Sequence, residues 1–329
     1  MATATGAQGQ ESHAARFLAL GDVNLGRHVG QELLKGDTLF PFRNLKPLLD
    51  RADLVFANLE SQITEQHGET QSPKSNLIFC APPVAGSSLK EAGIGIVSAA
   101  NNHAWDYGKT ALRETSAYLD SVHVAVAGID PEGIGKFRLP VLERGGIRFG
   151  FAAYAEFVNL KDNWQGYISL FDSARARVEI ATLRSKSDIV VVSYHGGNEY
   201  SNGASQAALG SMRFLADAGA DIVLGHHPHV VQGMERRGKS FIFFSLGNVV
   251  FYQPQRSWTQ LTLAPWIEFH KDSVGTSIRF VRLLPIKAGY QPSVSIDSLA
   301  NEKLFSRFMA LSPVGMSATK NMLNVQPIR

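Results

Sequence analysis

Cysteine is nearly missing from this sequence: only Cys80 stands among the 329 residues. An internal disulfide is therefore excluded, and that usage fits a reducing compartment. Charge of one sign is equally scarce. Lys plus Arg (32) against Asp plus Glu (29) leaves a formal net charge of +3, and the basic residues are dispersed, so no footprint for nucleic acid or an anionic membrane is visible. No run approaches the ~18 apolar residues of a membrane span, and the opening MATATGAQGQESHAA lacks the basic and apolar regions of a secretory signal. As written, the sequence reads as a soluble cytoplasmic chain, and as an extracytoplasmic one only if a leader has been removed. With 44% hydrophobic and 19% charged residues, and with 30 Gly and 14 Pro scattered along it, the chain is neither disordered nor collagenous nor a coiled coil.

What is present is a regular alternation. Short apolar runs at residues 16–20, 53–57, 94–98, 122–127, 148–154, 188–194, 221–224 and 240–245 read as strands, most of them continuous like DIVVVSY and DIVLG, the pattern of strands buried on both faces. Between them LFPFRNLKPLLDRA, PVAGSSLKEAG, KTALRETSAYLDSV, FDSARARVEIATLRSK and SQAALGSMRFLADAG have helical spacing. This is the texture of an α/β layered fold. From Ser240 onward strand-like segments dominate, which points to a second sheet packed on the first. With no repeat and no linker, the expected organisation is an unstructured segment 1–15, one domain over 16–312 and a frayed tail over 313–329.

Chemistry gathers where the strands end: GDVNLGR (21–27), ANLES (57–61), SAANNHAWDYG (98–108), SYHGGNEY (193–200), GHHPHVVQG (225–233) and SLGNVVF (245–251). In an open α/β sheet those carboxyl ends form the ligand-binding edge. Each residue has a plain structural use. Asp22 can cap a turn, Glu60 can be a surface acid, Asn101 and Asn102 can shape a turn, and His195 can be a core imidazole. Jointly these uses fail, because unrelated turn residues have no reason to supply carboxylates, an amide and His103, His195, His226, His227 and His229 at successive strand ends. Carboxylate, amide oxygen and imidazole together are the ligand set of Mn, Fe or Zn. A carboxylate shared by two divalent ions is a recurrent device of two-metal hydrolases. Asn248 reads as a turn former, Trp105 as packing and Cys80 as a small buried hydrophobe.

The ordered set GDVNLGR, ADLVFANLES, NNHAWDYG, HGGNEY, GADIVLGHHPHVVQG and SLGNVVF, from about Phe17 to Phe251, closely resembles the poly-gamma-glutamate capsule synthesis protein (CapA) family, a branch of the calcineurin-like metallophosphoesterases. The resemblance implies a four-layer α/β/β/α sandwich with two divalent metal ions at the strand ends. It makes Asp22 a ligand to one ion, Glu60 the bridging carboxylate, Asn102 a ligand to the second ion, His195 the lone histidine ligand, and His227 and His229 the closing pair, with His226 as a shifted register. The superfamily has a His where this sequence has Asn24, and Asn58 sits beside Glu60, so Asn24, Asn58 and His226 are further candidates for metal or substrate. His103 takes the place of the general acid and Asp106, three residues on, either orients it or caps the next helix. Arg27 and Glu199 share the rim and can meet a charged group of a substrate. The function implied is a metal-dependent hydrolase or transferase acting on a phosphoester, a peptide or a gamma-glutamyl amide in polymer or peptide biosynthesis. Two alternatives stand beside it: a metal-assisted peptide epimerase, and a non-catalytic accessory subunit of a poly-gamma-glutamate synthesis or export system. The partner expected is a small-molecule, peptide or polyglutamate substrate, with no nucleic acid and no membrane span.

Overall fold

A computed structural model describes residues 12–160 and 162–326. Residues 1–11 of the segment expected to be unstructured, and 327–329 of the tail, lie outside the described residues. In chain order the first half carries strand β1 (His13–Val23), helices α1 (Arg27–Leu34) and α2 (Lys46–Leu49), strands β2 (Leu54–Leu59), β3 (Gln62–Ile63) and β4 (Cys80–Ala81), helix α3 (Ala85–Ala92), β5 (Ile96–Ser98), α4 (Gly108–Ser121) and β6 (Ala125–Ala127). Next come β7 (Val141–Arg144), β8 (Ile147–Ala155), α5 (Ser173–Arg184), β9 (Ile189–His195), α6 (Gln206–Asp217), β10 (Ile222–His226), β11 (Met234–Arg237) and β12 (Ser240–Phe243). The chain ends with β13 (Asn248–Val250), β14 (Leu261–Lys271), β15 (Thr276–Lys287), β16 (Ser293–Val294), α7 (Ser298–Ala310), β17 (Met316–Ala318) and β18 (Leu323–Val325).

Two sheets form. One runs β17-β18-β15-β14-β1-β2-β5-β6, with β13 also paired to β1; the other runs β11-β12-β10-β9-β8-β7. The heart of each is parallel, β1, β2, β5 and β6 in the first and β8, β9, β10 and β12 in the second. Successive side chains of a strand point to opposite faces, so each continuous apolar run serves two cores. Phe17 and Ala19 face the seam between the sheets while Leu18 and Leu20 face α1 to α4. Ile189 and Val191 likewise face the seam while Val190 and Val192 face α5 and α6. Phe17 stacks on Phe149 at 6.1 Å and Phe56 on Phe151 at 6.3 Å, so aromatic pairs fill the middle of the seam. Helices outside two face-to-face sheets make a four-layer α/β/β/α sandwich.

Several expectations are corrected. The second sheet is not built from the segments after Ser240. Of these only β12 joins it, while β14 and β15 extend the first sheet, β14 pairing antiparallel to β1 and β15 to β14. The run 39–52 is helical only over Lys46–Leu49. Pro47 takes the first turn of α2, where its missing N–H costs nothing, and no longer helix passes through it. The tail from 313 is not frayed throughout: β18 pairs with β15 and β17 with β18, and Leu323 and Val325 are buried in the seam. Strand β1 begins at His13, three residues before the domain start at 16. Helices α1 and α7 were not expected. The start of α7 is set by Asp297, whose carboxylate accepts from the N–H groups of Leu299 and Ala300, an ordinary N-cap signal. No helix among the described residues is long and apolar enough to cross a membrane.

Candidate metal centre

The parallel strands of both sheets end at one rim, and the sheet registers bring the polar residues there together. Asp22 pairs with Asn58 on one side and with Asn248 on the other, and His195 pairs with His226. Close backbone approach makes this possible. A Cβ on Gly21 would lie 1.9 Å from the Gly247 carbonyl oxygen, and one on Gly225 would lie 2.0 Å from that of Phe244. After β10 the chain bends through His227 (φ 95°) and His229 (φ 58°), left-handed conformations that cost non-glycine residues about 1 to 3 kcal/mol each and concentrate at functional sites.

Two sets of side chains present their donor atoms within 4.8 Å of one another: Glu60, His195 and His227, and Asp22, Glu60 and His229. All are buried, and Glu60 belongs to both. Its Oε1 lies 3.6 Å from His195 Nε2 and 3.9 Å from His229 Nε2. Asn102 joins the first set through Oδ1, 2.7 Å from His195 Nε2. Asp22 anchors the second, with Oδ2 3.2 Å from His229 Nδ1 and Oδ1 3.3 Å from His226 Nδ1. Asp22, Glu60 and Asn102 come from the first sheet; His195, His227 and His229 come from the second.

Electrostatically the cluster is incomplete. Burial, reinforced by the neighbouring Asp22, pushes the Glu60 carboxyl well above its ordinary range. Burial also works against Asp22, but contacts from His226 and His229 outweigh it and hold that carboxyl well below its ordinary range. The imidazole of His195 is driven well below its ordinary value by burial and by His227. That of His227 is pushed down to about 3 by burial and by His229. Neutral imidazole with a free lone pair is the ligating form. Asp22 Oδ2, Glu60 Oε1, His227 Nδ1 and both nitrogens of His226 are buried with no hydrogen-bond partner. Orphaned buried polar atoms are expensive, and buried charges persist when they are paired or bind metals. The donor set therefore fits cations, and these buried Asp, Glu and His groups can hold a metal.

Neighbours fix the donors. Asn58 Nδ2 donates to Asp22 Oδ1 at 2.9 Å and lies 3.2 Å from His195 Nδ1 and 3.5 Å from Glu60 Oε2, so its amide orients three of them. Asn248 Oδ1 lies 2.9 Å from His229 Nδ1, which leaves His229 Nε2 to face Glu60. The sequence reading gave Asn248 to the turn; its sheet register with Asp22 is the missed signal. Asn24 is taken up locally, its Oδ1 accepting from Gly26 N at 2.8 Å, and it lies outside both donor sets. His226, fully buried beside Asp22, stays within reach of that carboxylate.

His103 Nδ1 lies 2.9 Å from Asp106 Oδ2, which also accepts from Phe79 N at 3.1 Å. Asp106 thus orients the imidazole; the α4 N-terminus has no side-chain cap. His103 lines a cleft of ≈ 500 Å³ together with Asn102, His227, Leu77, Phe157 and Glu199, and Nε2 is the nitrogen that Asp106 does not engage. Arg27 does not line it. Its guanidinium packs over Phe79 at 4.3 Å and bonds the Asn76 carbonyl, while Phe79 in turn stacks 4.2 Å from His103.

Comparison with known proteins places these residues in a wider set. The model of the bacterial capsule synthesis protein PGA_cap family matches residues 16–253. The chain is 30% identical over 289 residues to a capsule biosynthesis protein CapA of Bacillus anthracis, covering 85% of this chain and 69% of that one. It is 27% identical over 292 residues to the PGA biosynthesis protein CapA of Bacillus subtilis, covering 87% and 75%. A probable polyglutamine synthesis accessory protein of Mycobacterium tuberculosis is 27% identical over 255 residues, covering 70% and 65%. Among solved structures, TT1561 of Thermus thermophilus superposes with a TM-score of 0.41 at 14% identity, over 76% of this chain and 93% of that one. The 5'-nucleotidase of Candida albicans superposes with a TM-score of 0.42 at 9% identity, over 76% and 47%.

Proposed function

The chain belongs to the bacterial capsule synthesis protein family, and from that premise we propose that it is a metal-dependent hydrolase or transferase holding two divalent ions, of the Mn, Fe or Zn type, between its sheets. The names of its relatives support a place in polymer or peptide biosynthesis, with a phosphoester, a peptide or a gamma-glutamyl amide as the bond attacked. One observation carries the reading: Glu60, fully buried, is common to both donor sets, as a bridging carboxylate would be. Asp22, Glu60 and His229 would hold one ion, with His226 in the place Asn24 leaves open; Glu60, Asn102, His195 and His227 would hold the other. Ions held there would supply Lewis acidity, polarising the oxygen of the scissile group and making water a nucleophile at neutral pH.

The chain's own groups do the rest. Asp106 accepts from His103 Nδ1, so Nε2 is the nitrogen left to deliver a proton to the leaving group in the cleft. Asn58 and Asn248 hold the carboxylate and imidazole donors in their ligating orientations, a role whose loss typically costs about 10- to 100-fold in metal affinity. Elemental analysis of protein produced in medium supplemented with each metal tests the proposal. About two equivalents per chain, falling in Glu60→Gln, is the expected result. A few tenths of an equivalent under every supplement would refute it.

A further inference from the structure

The lining of the cleft points to the class of molecule it takes. Its wall is apolar on two sides, with Leu77 and Ile78 from the segment before β4 and Phe157 and Leu160 from the loop after β8. Leu77 is 64% exposed and Leu160 36% exposed, large side chains left facing solvent beside the donor cluster, as at apolar binding sites. Outside His103 and the donors Asn102 and His227, the polar lining is neutral, with Ser75, Asn159 and Asn198, apart from two acids. Asp106 is bound to His103, which leaves Glu199. That carboxylate is exposed, lines the cleft from the loop after β9, bonds the Tyr200 hydroxyl beside it, and has no ion-pair partner among the described residues. No described lining residue is a lysine or arginine, and Arg27, the nearby cation, is turned onto Phe79 and the Asn76 carbonyl.

Along the walls a polyanionic chain would set its carboxylates against apolar side chains and against Glu199, with no described lysine or arginine to receive them; ions of the proposed centre beside Asn102 and His227 would meet one carboxylate and not a run of them. We infer that the cleft takes a peptide-like amide with an apolar side chain and a free ammonium group, the side chain resting on Leu77, Ile78, Phe157 and Leu160 and the ammonium meeting Glu199, rather than the run of a polyglutamate chain. This rests on the metal-centre reading for where the scissile bond lies, and it narrows that reading to one substrate class. An exposed carboxylate paired to an ammonium contributes modestly, so removing its charge changes affinity by about five-fold at most. The apolar contacts and the lack of lysine and arginine among the described lining residues set the larger preference.

Calorimetric titration tests this with three probes, leucyl-leucine amide, its N-acetyl derivative and gamma-linked triglutamate, each against the metal-free and the metal-loaded full chain. Leucyl-leucine amide should bind most tightly and the acetylated form about five-fold more weakly. Triglutamate should bind weakest to the metal-free chain, where the walls alone decide. Glu199→Gln should close the gap between the free and acetylated amines, and Glu199→Lys should strengthen triglutamate. Triglutamate binding the metal-free wild-type protein as tightly as leucyl-leucine amide would overturn the inference, as would an amine preference that survives Glu199→Gln. Metal content is measured on the same samples. A protein that binds no metal but keeps the probe order refutes the metal centre and sustains the cleft assignment, and the reverse pattern does the opposite.

Discussion

Glu60→Gln separates a metal bridge from an ordinary buried acid, because the two give opposite signs in metal-free and metal-loaded protein. Glutamine has nearly the same shape and is neutral at every pH. In the metal-free protein, burial and Asp22 raise the Glu60 carboxyl well above its ordinary value of 4.5. A raised acid keeps its proton in the folded state while the unfolded chain releases it. The contribution of Glu60 to wild-type stability is therefore fully present below pH 4.5 and falls by about 1.4 kcal/mol for each pH unit above it, up to the folded-state value. Glutamine has no proton to retain, so the metal-free variant should gain on the metal-free wild type as pH rises from 4 to 7. With metal the sign reverses. Ligand at 100 times its dissociation constant stabilises by about 2.7 kcal/mol per site, about 5 kcal/mol for two. At about 2 °C per kcal/mol for a chain of this size, the wild type should rise by about 10 °C. Glu60→Gln removes a donor from both sets and should show less than half that rise. Thermal melts of both proteins at pH 4 and 7, in chelator and in excess metal, decide the matter. A variant that keeps the full metal-induced rise, or a metal-free gap that does not move with pH, would refute the bridge.

His103→Gln should keep its full metal content and lower turnover by about 10² to 10⁴, most for substrates with poor leaving groups; equal loss on an activated aryl ester would remove the proton-donor role. Asn248→Ala frees the tautomer of His229, and competition with a chromophoric chelator should find metal affinity lowered by about 10- to 100-fold with the fold intact. Phe151→Ala empties the middle of the seam, where its ring is 1% exposed between Phe17 and Phe56, and denaturant titration should show a loss of about 3 to 5 kcal/mol. A loss under about 1 kcal/mol would mean the sheets repack around the hole.

The layered fold and the candidate site were legible wherever local pattern and final geometry coincide. Asp22, Glu60, His103 and His195 each lie at or just after the end of an apolar run, and a parallel strand delivers whatever follows it to the rim. The placing of β14 and β15 beside β1 was not legible, because antiparallel registers such as Phe17 with Ile267 join segments 250 residues apart, and either sheet would accept the same alternating pattern. Arg27 shows the same limit at the level of one side chain: its position on the rim follows from the sequence, but its direction is set by Phe79, Phe251 and Asn76. Asn248 looked like a turn former because its neighbours Gly247 and Ser245 do shape a turn, and its contact with His229 appears only once β13 lies beside β1.

Because the donors are divided between the two sheets, the centre also orders events in time. A chain emerging from the ribosome completes Asp22, Glu60 and Asn102 while the histidines of the second sheet are still unmade, and the last donor, His229, precedes by about thirty residues the strands β14 and β15 that extend the sheet beyond β1. A carboxylate pair without its imidazoles is a poor trap for a transition metal. A centre assembled from both halves would therefore hold an ion only after the two sheets had met.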